Sequence, residues 1–195
     1  MPSWENARLI FPMRLGCPEL RWLVPWGAWP LAAGLLLGAA APGLSETPPP
    51  SGPYLVLDRR ERLLLVLEGG QELRRFPVGV GRPGWETPVG RFEVIELARD
   101  PTWEHPVTGQ RIPPGPANPL GSRWIGFHRD CKGRAGFNGR EHLVVKGCVS
   151  AGFHGTPHRS SVGQAVSHGC VRLLDEHVRE LFELVEMGTP VKVLP

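Results

Sequence analysis

Glycine and proline interrupt this chain so often that its folded part has little room for long regular elements. The 195 residues include 25 glycines and 22 prolines, about a quarter of the total. In an ordered domain that density means tight turns joining short segments. Between the turn signals lie β-rich runs at Tyr54–Asp58, Leu63–Glu68, Leu73–Val80, Arg91–Glu96, Trp124–His128 and Leu143–Lys146, each of strand length. They predict a mostly β domain. One helix is expected late in the chain: Asp175 suits an N-cap, Val178, Leu181, Phe182 and Val185 recur at helical spacing, and Gly188 would end the run. Pro190–Leu194 should return as a strand. The stretch from Pro101 to Pro119 carries six prolines and is expected to run as a loop beside a cleft, with Trp103 either lining a groove or packing on the sheet.

The first fifty residues do not belong to that pattern. Positions 22–45 contain no charged residue, Arg14 and Arg21 precede them, and Leu31–Ala41 is an apolar run of leucine and small side chains. Residues 1–45 therefore resemble an export signal, either a signal peptide or a retained signal anchor. Met13 gives a more ordinary signal length than Met1. Pro25, Pro30 and Pro42 argue against a long membrane-spanning helix, and Cys17 lies before the apolar run, unlike a lipoprotein cysteine. Residues 46–53 form a stiff, proline-rich linker. Residues 54–195 are long enough for one domain with its own core.

The chemistry concentrates in Ser167-His168-Gly169-Cys170-Val171-Arg172-Leu173, with Gly152-Phe153-His154-Gly155-Thr156-Pro157 upstream. A thiol beside glycine can present its sulfur and neighbouring backbone N–H groups to a carbonyl. An ordinary cysteine has a pKa of about 8.5, so a catalytic thiol needs a base nearby. His168 is two positions from Cys170, where alternate side chains of an extended segment diverge. His154 arrives from a separate segment and is the better base. Gly169 removes bulk where a carbonyl must approach, and the N–H groups of His168, Gly169 and Cys170 can form an oxyanion hole. Arg172 can hold a carboxylate or a peptide carbonyl. A zinc site from His154, His158, His168 and Cys170 is the chemical rival, but its spacing matches no common Cys/His template. A buried structural cysteine is the bland one.

These residues resemble the L,D-transpeptidase (YkuD-like) family of bacterial cell-wall enzymes, whose signature is a His-Gly pair followed by Ser/Thr-His-Gly-Cys. Val78-Gly79-Val80-Gly81 leading to Thr87-Pro88-Val89-Gly90-Arg91-Phe92 resembles the family's glycine-rich entry, and Asn118-Pro119-Leu120-Gly121 with Trp124-Ile125 its middle segment. The resemblance covers residue 54 to the end. It implies Cys170 as nucleophile, His154 as general base and acid, and the Gly155 carbonyl as orienter of the imidazole. His168 and Gly169 would form the oxyanion and positioning wall, with Arg172, Ser167 and Trp124 on the substrate side. The implied reaction forms a 3→3 cross-link between peptidoglycan stem peptides through a Cys170 thioester, releasing the terminal D-alanine of a tetrapeptide. No cofactor and no metal is expected, and carbapenem-type inhibitors should acylate the thiol. If water resolves the thioester, the same site is an L,D-carboxypeptidase. A catalytically silent wall-binding domain is the third reading.

Charge and cysteine usage fit an envelope protein in the periplasm. The net charge of +3 is too small for a nucleic-acid binder, and no basic run is interleaved with aromatics. Arg59, Arg60 and Arg62 read as a solvated turn. Cys131 and Cys148 flank a glycine- and charge-rich stretch. In an oxidising compartment they either form a disulfide, worth about 3 kcal/mol of loop-closure entropy for that separation, or remain free thiols.

Overall fold

The computed structural model describes residues 51–137 and 140–195. The expected export segment and most of the linker lie outside the described residues. The first half of the domain contributes β1 (Tyr54–Asp58), β2 (Leu63–Glu68), β3 (Gln71–Pro77), β4 (Val80–Gly81), β5 (Gly90–Glu93), β6 (Glu96–Arg99), β7 (Trp103–Glu104) and β8 (Arg111–Ile112). After it come β9 (Arg123–Asp130), β10 (Arg134–Phe137), β11 (His142–Val145), β12 (Val149–His154), β13 (Ala165–Ser167) and β14 (Val171–Arg172). Helix α1 (Asp175–Leu184) and β15 (Pro190–Leu194) complete the chain. The fold is mostly β with one clear helix, as the turn-rich sequence predicts.

Two sheets share one core. The first runs β3-β2-β1-β15-β5, with β15 inserted parallel to β1, and the second runs β14-β12-β9-β6. Strand alternation sends Leu55, Leu57, Leu64 and Val66 inward from the first sheet. Ile125, Phe127, Ala151, Phe153 and Val171 do the same from the second, and Val178 and Leu181 join them from α1.

Several expected boundaries shift for identifiable reasons. The run Arg91–Glu96 is two strands: Val94 N–H donates to Thr189 O and Ile95 N–H to Gly126 O, so the chain crosses from one sheet to the other between those residues. The run Leu73–Val80 breaks before Gly79, which exchanges backbone bonds of 2.8 Å with Arg172. The Pro101–Pro119 loop contains a small hairpin, β7–β8, tied down by Asn118 Nδ2 donating to Pro101 O at 2.7 Å. Trp103 is half-buried there, edge-on to His105. Arg59 is not merely solvated, because its guanidinium donates to the Thr87 carbonyl.

The helix also departs from expectation at both ends. Leu174 is the N-cap and makes no side-chain cap bond, and Val185 ends the helix in an extended conformation well before Gly188. Asp175, one residue inside, has a different task. Its carboxylate accepts from Ser122 N–H at 2.7 Å and Ser122 Oγ–H at 2.9 Å, and pairs with Arg179 at 2.8 Å. The helix is thereby locked to the segment leading into β9. Asp175→Ala should lower stability by roughly 1.5–3 kcal/mol, the usual range for losing hydrogen bonds to a charged group. Urea unfolding with an unchanged slope and a reduced midpoint is the expected result.

Candidate active site

The site lies where β14 begins against β12. The two strands are parallel, with Phe153 beside Val171 and His154 beside Arg172. Phe153 and Val171 are fully buried in the core, so His154 and Arg172 stand on the opposite face. Cys170, two residues before Arg172, shares that face with Gly152 and His154. Strands about 4.8 Å apart with a rise of about 3.3 Å per residue make Cys170 and His154 diagonal neighbours. The thiol donates to Ser150 O at 3.7 Å, and the Gly152 N–H points at the sulfur.

His154 is buried and held in one orientation. Its Nδ1 lies 2.5 Å from Gly155 O, and a carbonyl accepts only, so Nδ1 carries the proton and Nε2 keeps its lone pair. The Trp124 ring is stacked beside the imidazole, 6.1 Å between centroids, and lies across Gly152, where an added Cβ would come within 2.8 Å of it. Behind the histidine, Gly155 and Gly121 pack against each other and against Asp175, with no space for a side chain at either position. Thus the carbonyl that orients His154 is itself fixed by the helix anchor.

The turn before the nucleophile is held from within. Ser167 Oγ–H donates to Cys170 O at 2.5 Å, and Gly169 N–H donates to Ser167 Oγ at 3.1 Å. Ser167 is therefore buried and occupied, not turned to substrate, and Gly169 N–H is spent inside the turn instead of standing free for an oxyanion. Trp124 is likewise a buried floor beneath the site instead of a wall exposed to ligand. His168 is exposed and lies edge-on to Trp85, 5.1 Å between centroids. From the other side, Arg82 Nη2 donates to Val166 O at 2.5 Å and Arg82 N–H to Ser167 O at 3.1 Å, fixing the approach to the turn.

Burial dominates the electrostatics. It pushes the Cys170 thiol up, against the Gly152 N–H, Arg172 and Arg134, which favour the thiolate. It pushes His154 down to about 4, reinforced by the positive charge of Arg172 and opposed by the bond to Gly155 O. His168, although much of its surface is exposed, is also lowered, first by partial desolvation of its ring and then by Arg82, Arg172, Arg134 and His105. Arg172 is half-buried with its own charge disfavoured by burial. A cavity of about 320 Å³ lies beside the turn that carries Cys170, lined among others by Ser150, Gly169, His168, Asp130, Glu86 and Arg134. Among the described residues no three His, Cys, Asp or Glu side chains converge to hold a metal ion, so the zinc arrangement has no geometric support.

Residues 52–193 match the family model of the L,D-transpeptidase catalytic domain, YkuD. This chain belongs to that family. It is 35% identical over 151 residues to "Putative L,D-transpeptidase YqjB" of Bacillus subtilis, covering 77% of this chain and 76% of that protein. It is 30% identical over 146 residues to "Probable L,D-transpeptidase YbiS" of Escherichia coli K12, covering 68% of this chain and 41% of that one. Among solved structures, L,D-transpeptidase 3 from Mycobacterium tuberculosis in complex with a faropenem-derived adduct shares the fold, with a TM-score of 0.54, 21% identity, 74% of this chain and 60% of that chain covered. LdtMt1 in complex with imipenem does so with a TM-score of 0.52, 21% identity and coverage of 73% and 59%.

Sequence reasoning did not find Asp175 as an anchor, nor Trp85 and Arg134 beside the nucleophile turn. It also missed β12 itself, although Val149, Ala151 and Phe153 alternate with Ser150, Gly152 and His154 in the period of a strand. The pair of lowered imidazole and raised thiol makes the resting site neutral near pH 7. Iodoacetamide alkylation of Cys170 should then climb steadily between pH 5 and 8, with a midpoint above the ordinary thiol range near 8.5. A plateau already reached near pH 5 would mean a preformed thiolate–imidazolium pair.

Proposed function

We propose that this L,D-transpeptidase family member forms 3→3 cross-links between peptidoglycan stem peptides through a thioester on Cys170. The observation that carries the reading is that Cys170 immediately precedes β14, which runs parallel to β12 with Arg172 beside His154, and that His154 Nδ1 is bonded to Gly155 O. Neutral His154 takes the thiol proton on Nε2 as Cys170 Sγ attacks the carbonyl of the L-centre of the third stem residue. The C–N bond to D-alanine then breaks, and the imidazolium returns the proton to the leaving amine. In the second half, an amine on the third residue of another stem attacks the thioester, gives a proton to His154, and displaces the Cys170 thiolate as the amide forms; the thiolate then takes that proton back from His154, restoring the neutral pair. A neutral resting pair suits this sequence, because the thiolate is generated only as the carbonyl carbon accepts it.

Arg172 has a guanidinium on the same face two residues beyond the nucleophile, and it would hold a stem carboxylate or peptide carbonyl. Backbone N–H groups at His168 and Cys170 take the oxyanion role in this reading, since that of Gly169 is engaged. The likeness to transpeptidases solved with imipenem and with a faropenem-derived adduct supports acylation of Cys170 by β-lactams of this kind. The Cys131–Cys148 bond, with its sulfurs 2.01 Å apart, supports residence in an oxidising compartment such as the periplasm, reached through the N-terminal segment.

Incubating the purified protein with a disaccharide-tetrapeptide should yield a dimer lacking one D-alanine, detected by mass. Cys170→Ala should abolish it, and His154→Ala should slow it by about 10²–10⁴-fold. Tripeptide alone would assign the hydrolytic branch. Absence of both product and acyl adduct, with imipenem also leaving the protein mass unchanged, would refute the reading.

A further inference from the structure

The antiparallel hairpin β10–β11 is an insertion between β9 and β12, and it is fixed at two places. At its neck, the last pair of the β9–β12 ladder is Asp130 beside Val149, followed at once by the Cys131–Cys148 bond. The two chains entering the hairpin therefore leave the sheet at a fixed separation. At its far side, β10 lies on Trp85. The indole N–H donates to Phe137 O at 3.1 Å, and Gly136 approaches so closely that an added Cβ would sit 2.7 Å from that nitrogen. Trp85 is 1% exposed, so this is a firm seat.

The hairpin carries Arg134 to the nucleophile turn. Its guanidinium lies over the Trp85 ring, 5.0 Å from the centroid. It also donates to Gly84 O at 3.4 Å and Glu86 O at 3.2 Å, with the Glu86 carboxylate 4.0 Å away. Its Nη1 would be 3.1 Å from a Cβ placed on Gly169, the residue before Cys170, whose φ is +115°. Gly169 thus leaves room for Arg134. On its other side Arg134 lines the cavity that also reaches Ser150, whose carbonyl accepts from the thiol.

We propose that Arg134 is a positioning residue for the reaction at Cys170, delivered to the nucleophile turn by a hairpin whose placement the Cys131–Cys148 bond maintains. The proposal rests on the reading of Cys170 as nucleophile. The groups acting on the sulfur are the Gly152 N–H from β12, Arg172 from β14 and Arg134 from β10, with His154 on β12 beside Arg172. Arg82 and His168 border Arg172, and Glu86 partly offsets Arg134. Burial disfavours the thiolate that attack requires, and Arg134 opposes that burial from outside the sheet. It does so only while the hairpin holds it against Gly169.

The test is alkylation of Cys170 by iodoacetamide as a function of pH, read from the mass of the Cys170 peptide in the full-length protein. Arg134→Gln should move the midpoint upward by about 0.5–1 pH unit and slow alkylation near neutrality several-fold. Arg134→Lys keeps the charge and should recover most of the shift. The double change Cys131→Ser/Cys148→Ser should move the midpoint in the same direction, and adding Arg134→Gln to it should change little further, because both act through one contact. An unchanged midpoint in Arg134→Gln, a lysine variant no better than glutamine, or full additivity with the neck variant would overturn the proposal. If wild-type Cys170 alkylates and turns over stem peptide while Arg134→Gln matches it, this inference alone fails. A wild-type Cys170 that resists iodoacetamide at every pH would sink both it and the nucleophile reading.

Discussion

The edge of β12 is the feature on which the rest of the site depends. Residues 150, 152 and 154 turn their backbone groups toward β14, and Leu173 N–H takes His154 O at 2.8 Å in the ordinary way. The paired strands end with Phe153 beside Val171, leaving Ser150 O and the Gly152 N–H without strand partners. The Cys170 sulfur occupies both, accepting from one and donating to the other. A side chain thus completes the ladder where the neighbouring strand stops. The sulfur is held at two backbone groups of β12, and its neighbour Gly169 lines the cavity. That arrangement requires Gly152 to carry no side chain, because Trp124 and the Ile125 carbonyl fill the space a Cβ would need.

The histidine is placed by a chain of contacts that starts far from it in sequence. Asp175 binds Ser122, which sets the segment before β9. The same carboxylate abuts Gly155 and Gly121, and Gly155 O fixes the imidazole. Such packing keeps water out and so lowers the basicity of His154. In the proposed reaction the resulting neutral pair trades thiolate concentration for a base that is ready to accept a proton as attack proceeds. Arg172 and Arg134 partly restore what burial removes from the thiolate, and Arg82 adds positive charge beside His168 and Arg172.

Much of this was readable from residue order. The strands β1, β2 and β15 follow directly from alternation between turn residues, and the His154/Cys170 pairing follows from glycine-flanked reactive side chains with a recognisable family signature. The predicted run Arg91–Glu96 failed to show its break because crossing between sheets at Val94 and Ile95 is decided by which partner strand each backbone group meets. Asp175 was misread as a cap for the same kind of reason: its local sequence suits capping, but Ser122 offers it stronger partners. Ser167 and Trp124 were placed on the substrate side, whereas hydrogen bonding within the turn and burial under β12 take them out of reach.

The sequence by itself determined the β-rich class and the α-helix near its end, and picked out the candidate thiol and base, because these depend on local period, turn chemistry and side-chain type. Tertiary structure alone decided that Cys170 completes the edge of β12, that Asp175 supports His154 through Gly155, and that Arg134 reaches Gly169 from an inserted hairpin. Each of those contacts joins residues separated by many positions, and only the folded geometry brings their atoms within bonding distance.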